Sequence, residues 1–345
     1  MEFGVFDHVE RSGPDLAKIY ADRLAVARAA EDAGFYCFHV AEHQGTPLSL
    51  APSPNVLLSA IAQCTSRIRF GALCYILPLY DPLRLINEIC MLDQMSGGRL
   101  QIGIGRGVSP IEMGFFSIDP ATSREIFQED LEIIIQGLTS QTLTYSGEHH
   151  RYAEVPIEPS PVQLPTPPIW YPTSSVASVP WVAEQRFNTV FLGAPAHVTE
   201  QVKAYQDSLA DPDDFGRLKA GILRYVFVAE TDSEAMKHAA PTYHAHLENL
   251  HHLGKARGIR ARAAVPDTAG AREGNPENIA DAVNRGWAAV GSPETVTEQL
   301  QKMIADTGCN YLIFNPLLAD TGGERAVAAV ELFGEAVMPQ FLADH

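Results

Sequence analysis

The chain has 345 residues, 46% hydrophobic and 19% charged, which allows a large core and argues against disorder. Its formal net charge of −17 repels nucleic acid and anionic lipid, so neither is expected as a partner. No run reaches the roughly 18 apolar residues of a membrane helix, MEFGVFDHVE lacks the pattern of a signal peptide, and five scattered cysteines without CxxC spacing fit reduced thiols in a cytoplasmic protein.

Short apolar runs alternate with longer amphipathic ones along the chain. Strands are expected over residues 3–6, 36–40, 68–76, 100–105, 169–172, 189–192, 223–229 and 311–315. Helices are expected over 15–33, 55–64, 82–95, 123–139, 176–185, 198–209, 233–253, 294–306 and 324–342, with stops legible at Ala33-Gly34 and Thr307-Gly308. Eight βα units, the last ending in a helix, favour a closed (β/α)8 TIM barrel over an open doubly wound sheet. An open sheet would usually carry a Gly-rich phosphate loop after its first strand, where this chain reads FDHVERSGPD. The whole chain, 1–345, reads as one domain. Residues 141–168, rich in Pro and Thr, read as an insertion between the fourth and fifth units. Residues 254–275, with four glycines and four arginines but no Phe, Tyr, Trp or Leu, read as a mobile lid.

Candidate chemistry lies at strand ends. His39-Val-Ala-Glu42-His43 has the spacing of the H-x-x-E-H zinc motif, but that motif needs a helix. On a strand the two histidines stand about 13 Å apart, so no metal is expected there, and Glu42 and His43 are placed at the barrel mouth as catalytic candidates. Gly103-Ile-Gly105-Arg106-Gly107 ends the fourth strand, with glycines that let a planar ligand approach and an arginine suited to phosphate. Thr173-Ser174-Ser175, with Ser178 one turn on, offers hydroxyls and amides at a helix start, for an anion or as plain capping. His244, Glu248, His251 and His252 share a helix face and read as a solvated polar stripe rather than a metal site. Phe6, Tyr75, Phe115 and Phe116 are expected to line an apolar pocket for an apolar or carbonyl substrate.

Together AEHQ (41–44), GALCYILPLYDPLRLINEICMLDQMSGGRLQIGIGRG (71–107), the P-x-P-x-Q-x-P-x-P-P segment before Trp170 and VGSPETV (290–296) resemble the bacterial luciferase family of flavin-dependent monooxygenases over almost the whole chain. The resemblance implies a barrel that binds FMN, supplied reduced by a separate NAD(P)H-dependent flavin reductase, and commonly a homodimer through helices of the first half. It places His43 at the active site and Arg106, Ser174, Ser175 and Ser178 at the flavin phosphate. It also makes Leu73–Cys74 a non-proline cis peptide beneath the flavin ring, with Gly105 beside it. His43 is then expected as acid/base near the oxygenating flavin, with Glu42 setting its orientation or charge. The chain departs from luciferase at Gln44, where a second histidine stands, at Gly105, where a reactive cysteine stands, and at Ser174, where an acidic residue stands, which speaks against light emission. The reading is a two-component monooxygenase. The alternatives are a deazaflavin-dependent hydride-transfer enzyme of the same barrel family and a non-catalytic flavin-binding subunit.

Overall fold

The computed structural model describes residues 1–254, 276–316, 319 and 321–342. Eleven strands are described: β1 (Glu2–Asp7), β2 (Cys37–Val40), β3 (Arg69–Ile76), β4 (Leu100–Gly105), β5 (Thr142–Ser146), β6 (Arg151–Pro156), β7 (Ile169–Trp170), β8 (Thr189–Phe191), β9 (Ala220–Val228), β10 (Ala288–Gly291) and β11 (Tyr311–Asn315). β1, β2, β3, β4 and β7 pair in parallel in that order, and the bridges Trp170–Asn188 and Thr173–Phe191 carry β7 on to β8. β8 pairs with β9, β9 with β11, and β11 with β1, which closes an eight-stranded parallel ring. The eight ring strands are those expected from the apolar runs. β10 was not anticipated: it lies on the carboxyl half of β9, Ala288 opposite Tyr225 through Gly291 opposite Val228.

The 141–168 stretch holds β5 and β6 as an antiparallel hairpin, followed by a Pro-rich segment with a cis Leu164–Pro165 bond. The expected lid, 254–275, lies outside the described residues apart from Gly254. Two short helices were also not anticipated, Pro110–Phe115 and Ile279–Asn284. No helix among the described residues is long and apolar enough to cross a membrane.

Alternation along the strands divides the core into two layers. Phe3 and Val5, like Leu312 and Phe314, join the large cluster between strands and helices. Phe6, Ala41, Leu73, Trp170, Val190, Tyr311 and Ile313 form a separate cluster inside the ring. Gly4 is glycine for a steric reason: a Cβ there would stand 2.0 Å from the Tyr311 hydroxyl, which fills the floor of the barrel. Helix ends follow local chemistry. Asp15 and Asp81 accept from the amides of Lys18 and Arg84, and Gly97 takes φ 67° after the helix Pro82–Ser96.

Candidate active site

In a parallel barrel the functional residues gather where the strands end. β1 runs out into Asp7-His8-Val9-Glu10. Asp7 is fully buried, its Oδ2 is 3.2 Å from Nε of Arg23, and its Oδ1 accepts from the Val9 amide at 2.6 Å. That bond folds the chain so that Val9, a β-branched residue, takes φ 56°. Burial raises the Asp7 carboxyl above its usual range, opposed chiefly by Arg23.

Just past β2, His43 is partly exposed and its Nδ1 stands 3.2 Å from Oε1 of Glu112. The same oxygen accepts from the Gln44 amide at 2.6 Å. Glu112 lies in the first turn of the short helix Pro110–Phe115, where Ser109 caps its amide at 3.3 Å. The S-x-x-E spacing at Ser109–Glu112 is the sequence signal that could have found this carboxylate. Glu42 was expected to orient His43, and the structure corrects that. Its carboxylate turns back into the protein, Oε2 accepting from the Ile76 amide at 3.1 Å and the Tyr80 hydroxyl at 2.8 Å, Oε1 from Gln44 Nε2 at 3.0 Å. Burial raises its pKa to about 7 against those three hydrogen bonds, and Glu112 nearby adds to the rise.

His39 is not beside His43 but sealed in the barrel. Its Nε2 is 3.0 Å from the Tyr311 hydroxyl, its ring stands edge-on to Trp170, and burial lowers its pKa to about 3, so it stays neutral. Phe6 is buried in the inner cluster, with its ring edge-on to His8. Tyr75 does not line the pocket. The β3–β4 register shifts between Ala72 and Tyr75, which breaks the alternation and turns Tyr75 outward, its hydroxyl bonding Asn55 at 2.5 Å on the helix Pro54–Cys64. Phe115 and Phe116 are about half exposed at the rim, and the Phe115 ring lies over Gly45, two residues from His43.

The Leu73–Cys74 peptide is cis. At Gly105 a Cβ would meet Cys74 Sγ at 2.4 Å, so this glycine makes room for a sulfur of the protein itself. Burial pushes the Cys74 thiol up to about 12, which keeps it protonated. Arg106 bonds the Ser123 hydroxyl through Nη1 at 3.3 Å. Burial raises the pKa of the partly buried Tyr171 phenol, with Arg106 and Arg124 opposing the rise. Beyond β7, Thr173 Oγ1 accepts from the Ser175 amide at 3.0 Å, the Ser174 carbonyl meets His197 Nε2 at 2.8 Å, and a single turn Val176–Ser178 leads into the helix Val179–Glu184. Ser174, Ser175 and Ser178 are all partly exposed. Hydroxyls and amides at such a turn, in a chain of net charge −17, are the kind of groups that suit an anion.

A further group was not read from the sequence. The His8 ring lies 6.1 Å from that of His43, nearly parallel at 19°, and 5.5 Å from that of His246. His246 belongs to the helix Asp232–Gly254, and its Nδ1 is 2.6 Å from Oε1 of Glu10, both residues fully buried. The stripe on the other side of that helix, read from the sequence as a solvated polar face, lies in solvent as expected. His244 and Glu248 are exposed and paired at 3.7 Å, and His251 and His252 face solvent as well.

The family model described as luciferase-like monooxygenase matches residues 1–311. The chain is 34% identical over 322 residues to the uncharacterized protein y4wF of Sinorhizobium fredii, covering 93% of this chain and 91% of that one. It is 25% identical over 244 residues to the oxygenase component of a flavin-dependent trigonelline monooxygenase of Acinetobacter baylyi, covering 68% and 67%. Among solved structures it resembles the monooxygenase RslO1 of Streptomyces bottropensis (TM-score 0.84, 22% identity, 99% and 100% covered). It also resembles the oxygenating constituent of 3,6-diketocamphane monooxygenase of Pseudomonas putida in complex with FMN (0.75, 21%, 99% and 98%). A coenzyme F420-dependent tetrahydromethanopterin reductase of Methanopyrus kandleri shares the fold (0.69, 17%, 99% and 99%).

Proposed function

Because the chain belongs to the luciferase-like monooxygenase family, we propose that it is the oxygenase component of a two-component system, using FMN reduced by a separate NAD(P)H-dependent reductase to oxygenate a small apolar or carbonyl substrate. The observation that carries this reading is His43, partly exposed just past β2 at the carboxyl end of the barrel and held by Glu112. The FMN phosphate would be held by Arg106, Arg124 and the hydroxyls of Ser174, Ser175 and Ser178, and the ring would lie by Leu73 and Cys74. FMN supplies the electrons and the oxygen-activating chemistry when bound.

The protein's own groups bind, orient and move protons. Glu112 accepts from His43 Nδ1, which leaves Nε2 to take or give a proton on the pocket side. Phe6, Phe115 and Phe116 offer apolar surface that keeps water from the reacting centre. The five unpaired thiols suit the reducing cytoplasm, where we place the enzyme. The homodimer would form through the helices Pro54–Cys64 and Pro82–Ser96, whose outer faces expose Val56, Met91 and Met95.

The test is product analysis with FMN, NAD(P)H and a flavin reductase over a panel of aldehydes, ketones, sulfonates and alkanes. An oxygenated product that forms only with both proteins supports the reading. Binding of a deazaflavin in preference to FMN, with hydride transfer and no oxygen uptake, overturns it.

A further inference from the structure

Glu10, His246 and His8 converge just inside the barrel mouth. One potential donor atom from each lies within 4.8 Å of the others, and each residue is at least nine-tenths buried. The remaining donor atom of each is held by a different neutral partner. Asn249 Nδ2 donates to Glu10 Oε2 at 2.8 Å. The Tyr225 hydroxyl meets His246 Nε2 at 3.0 Å. The Asn315 amide stands 3.3 Å from His8 Nδ1. This leaves Glu10 Oε1, His246 Nδ1 and His8 Nε2 for a common centre. Outer partners that fix the ring orientation and tautomer of each inner ligand are the usual surroundings of a metal. The buried Arg23, which donates to the Glu10 carbonyl at 3.3 Å, is paired with Asp7, whose charge offsets it.

The backbone supports the arrangement. His8 and Glu10 are two residues apart at the end of β1, and the buried Asp7–Arg23 pair holds Val9 between them in its left-handed conformation. His246 is brought from 236 residues away by the helix Asp232–Gly254. We propose that His8, Glu10 and His246 form a binding site for a divalent cation of the zinc class. Two imidazoles and one carboxylate match a borderline ion with an open position. Zinc bonds of about 2.0–2.2 Å require the ligand atoms to stand roughly 3.3–3.6 Å apart. Glu10 and His246, now in hydrogen-bond contact, separate by under an ångström as the ion displaces the shared proton, and the His8 ring swings inward. The proposal does not depend on the flavin.

The experiment is Co2+ titration of the full-length protein, followed by its visible d–d absorption, with Zn2+ competition and metal analysis after dialysis. One Co2+ per chain with a four-coordinate spectrum, displaced by Zn2+, is expected. His246→Asn and Glu10→Gln should weaken binding by at least 100-fold. Asn249→Ala, a milder change that leaves all three ligands in place, should weaken it by roughly 10–100-fold. His244→Ala, on the exposed face of the same helix, should change nothing. Circular dichroism verifies that each variant is folded, and the Asn249→Ala comparison stands if either ligand variant is not. Absence of stoichiometric binding to the native protein overturns the proposal. So does binding that survives His246→Asn or falls with His244→Ala.

Discussion

Glu42→Gln tests the electrostatics of the mouth. In the native protein the Glu42 carboxyl is 4% exposed and its pKa rises from 4.5 to about 7. The unfolded chain returns it to its ordinary value. Below pH 4.5 both states hold the proton. Between 4.5 and 7 the folded state keeps a proton that the unfolded state releases, so stability falls as pH rises through this window. The loss is about 3 kcal/mol from this one group, complete above pH 7. Glutamine cannot ionise. Its carbonyl can still accept from the Ile76 amide and the Tyr80 hydroxyl, which share one oxygen. Its amide faces Gln44 Nε2, so Gln44 must flip and give up its 2.8 Å bond to the Pro52 carbonyl. That is a pH-independent cost of about 1 kcal/mol. The variant should therefore be slightly less stable than the native protein at pH 4.5 and roughly 2 kcal/mol more stable at pH 8. Urea unfolding of both proteins at the two pH values measures this directly. Parallel pH dependence in the two would show that folding leaves the Glu42 pKa unshifted, and the burial argument would be wrong.

His43→Ala should keep FMN binding and lose about 10²–10⁴-fold in product formation, the usual contribution of a general acid–base group; unchanged turnover removes His43 from the mechanism. Glu112→Ala should lower product formation as well and also cost about 1–3 kcal/mol in urea unfolding, because the Gln44 amide loses its acceptor. Arg106→Ala should weaken FMN by roughly 10–100-fold while riboflavin hardly changes, since the lost bond is to phosphate; equal affinity of the native protein for the two flavins would contradict the phosphate site. Met91→Glu places a charge on the exposed apolar face of the helix Pro82–Ser96 and should convert a dimer to a monomer in light scattering; a monomeric native protein would refute the interface.

The amino-acid sequence by itself determined the barrel. The period-two apolar runs, the helices between them and their Asp, Pro and Gly boundaries are local signals, and all eight ring strands were legible from them. β10 was not, because Ala288–Gly291 is short and becomes a strand only against the carboxyl half of β9. Several candidate residues were legible because they end strands: His43 after β2, Gly105 and Arg106 at the end of β4. What those residues face was decided by the tertiary structure. Glu112 reaches His43 across 69 residues of chain, and Glu42, though adjacent to His43, turns the other way to meet Tyr80. Tyr75 has the parity of a pocket residue and loses it to a register shift that depends on pairing with β4. The helix Asp232–Gly254 carries histidines around its circumference, so nothing local distinguishes His246 from the exposed His244. Only its packing against β9 and β10, which brings His246 onto Glu10, buries one stripe and leaves the other in water. Strand and helix identity is set by neighbours a few residues away, whereas the partner of a buried charge is set by whichever distant segment the fold brings into contact with it.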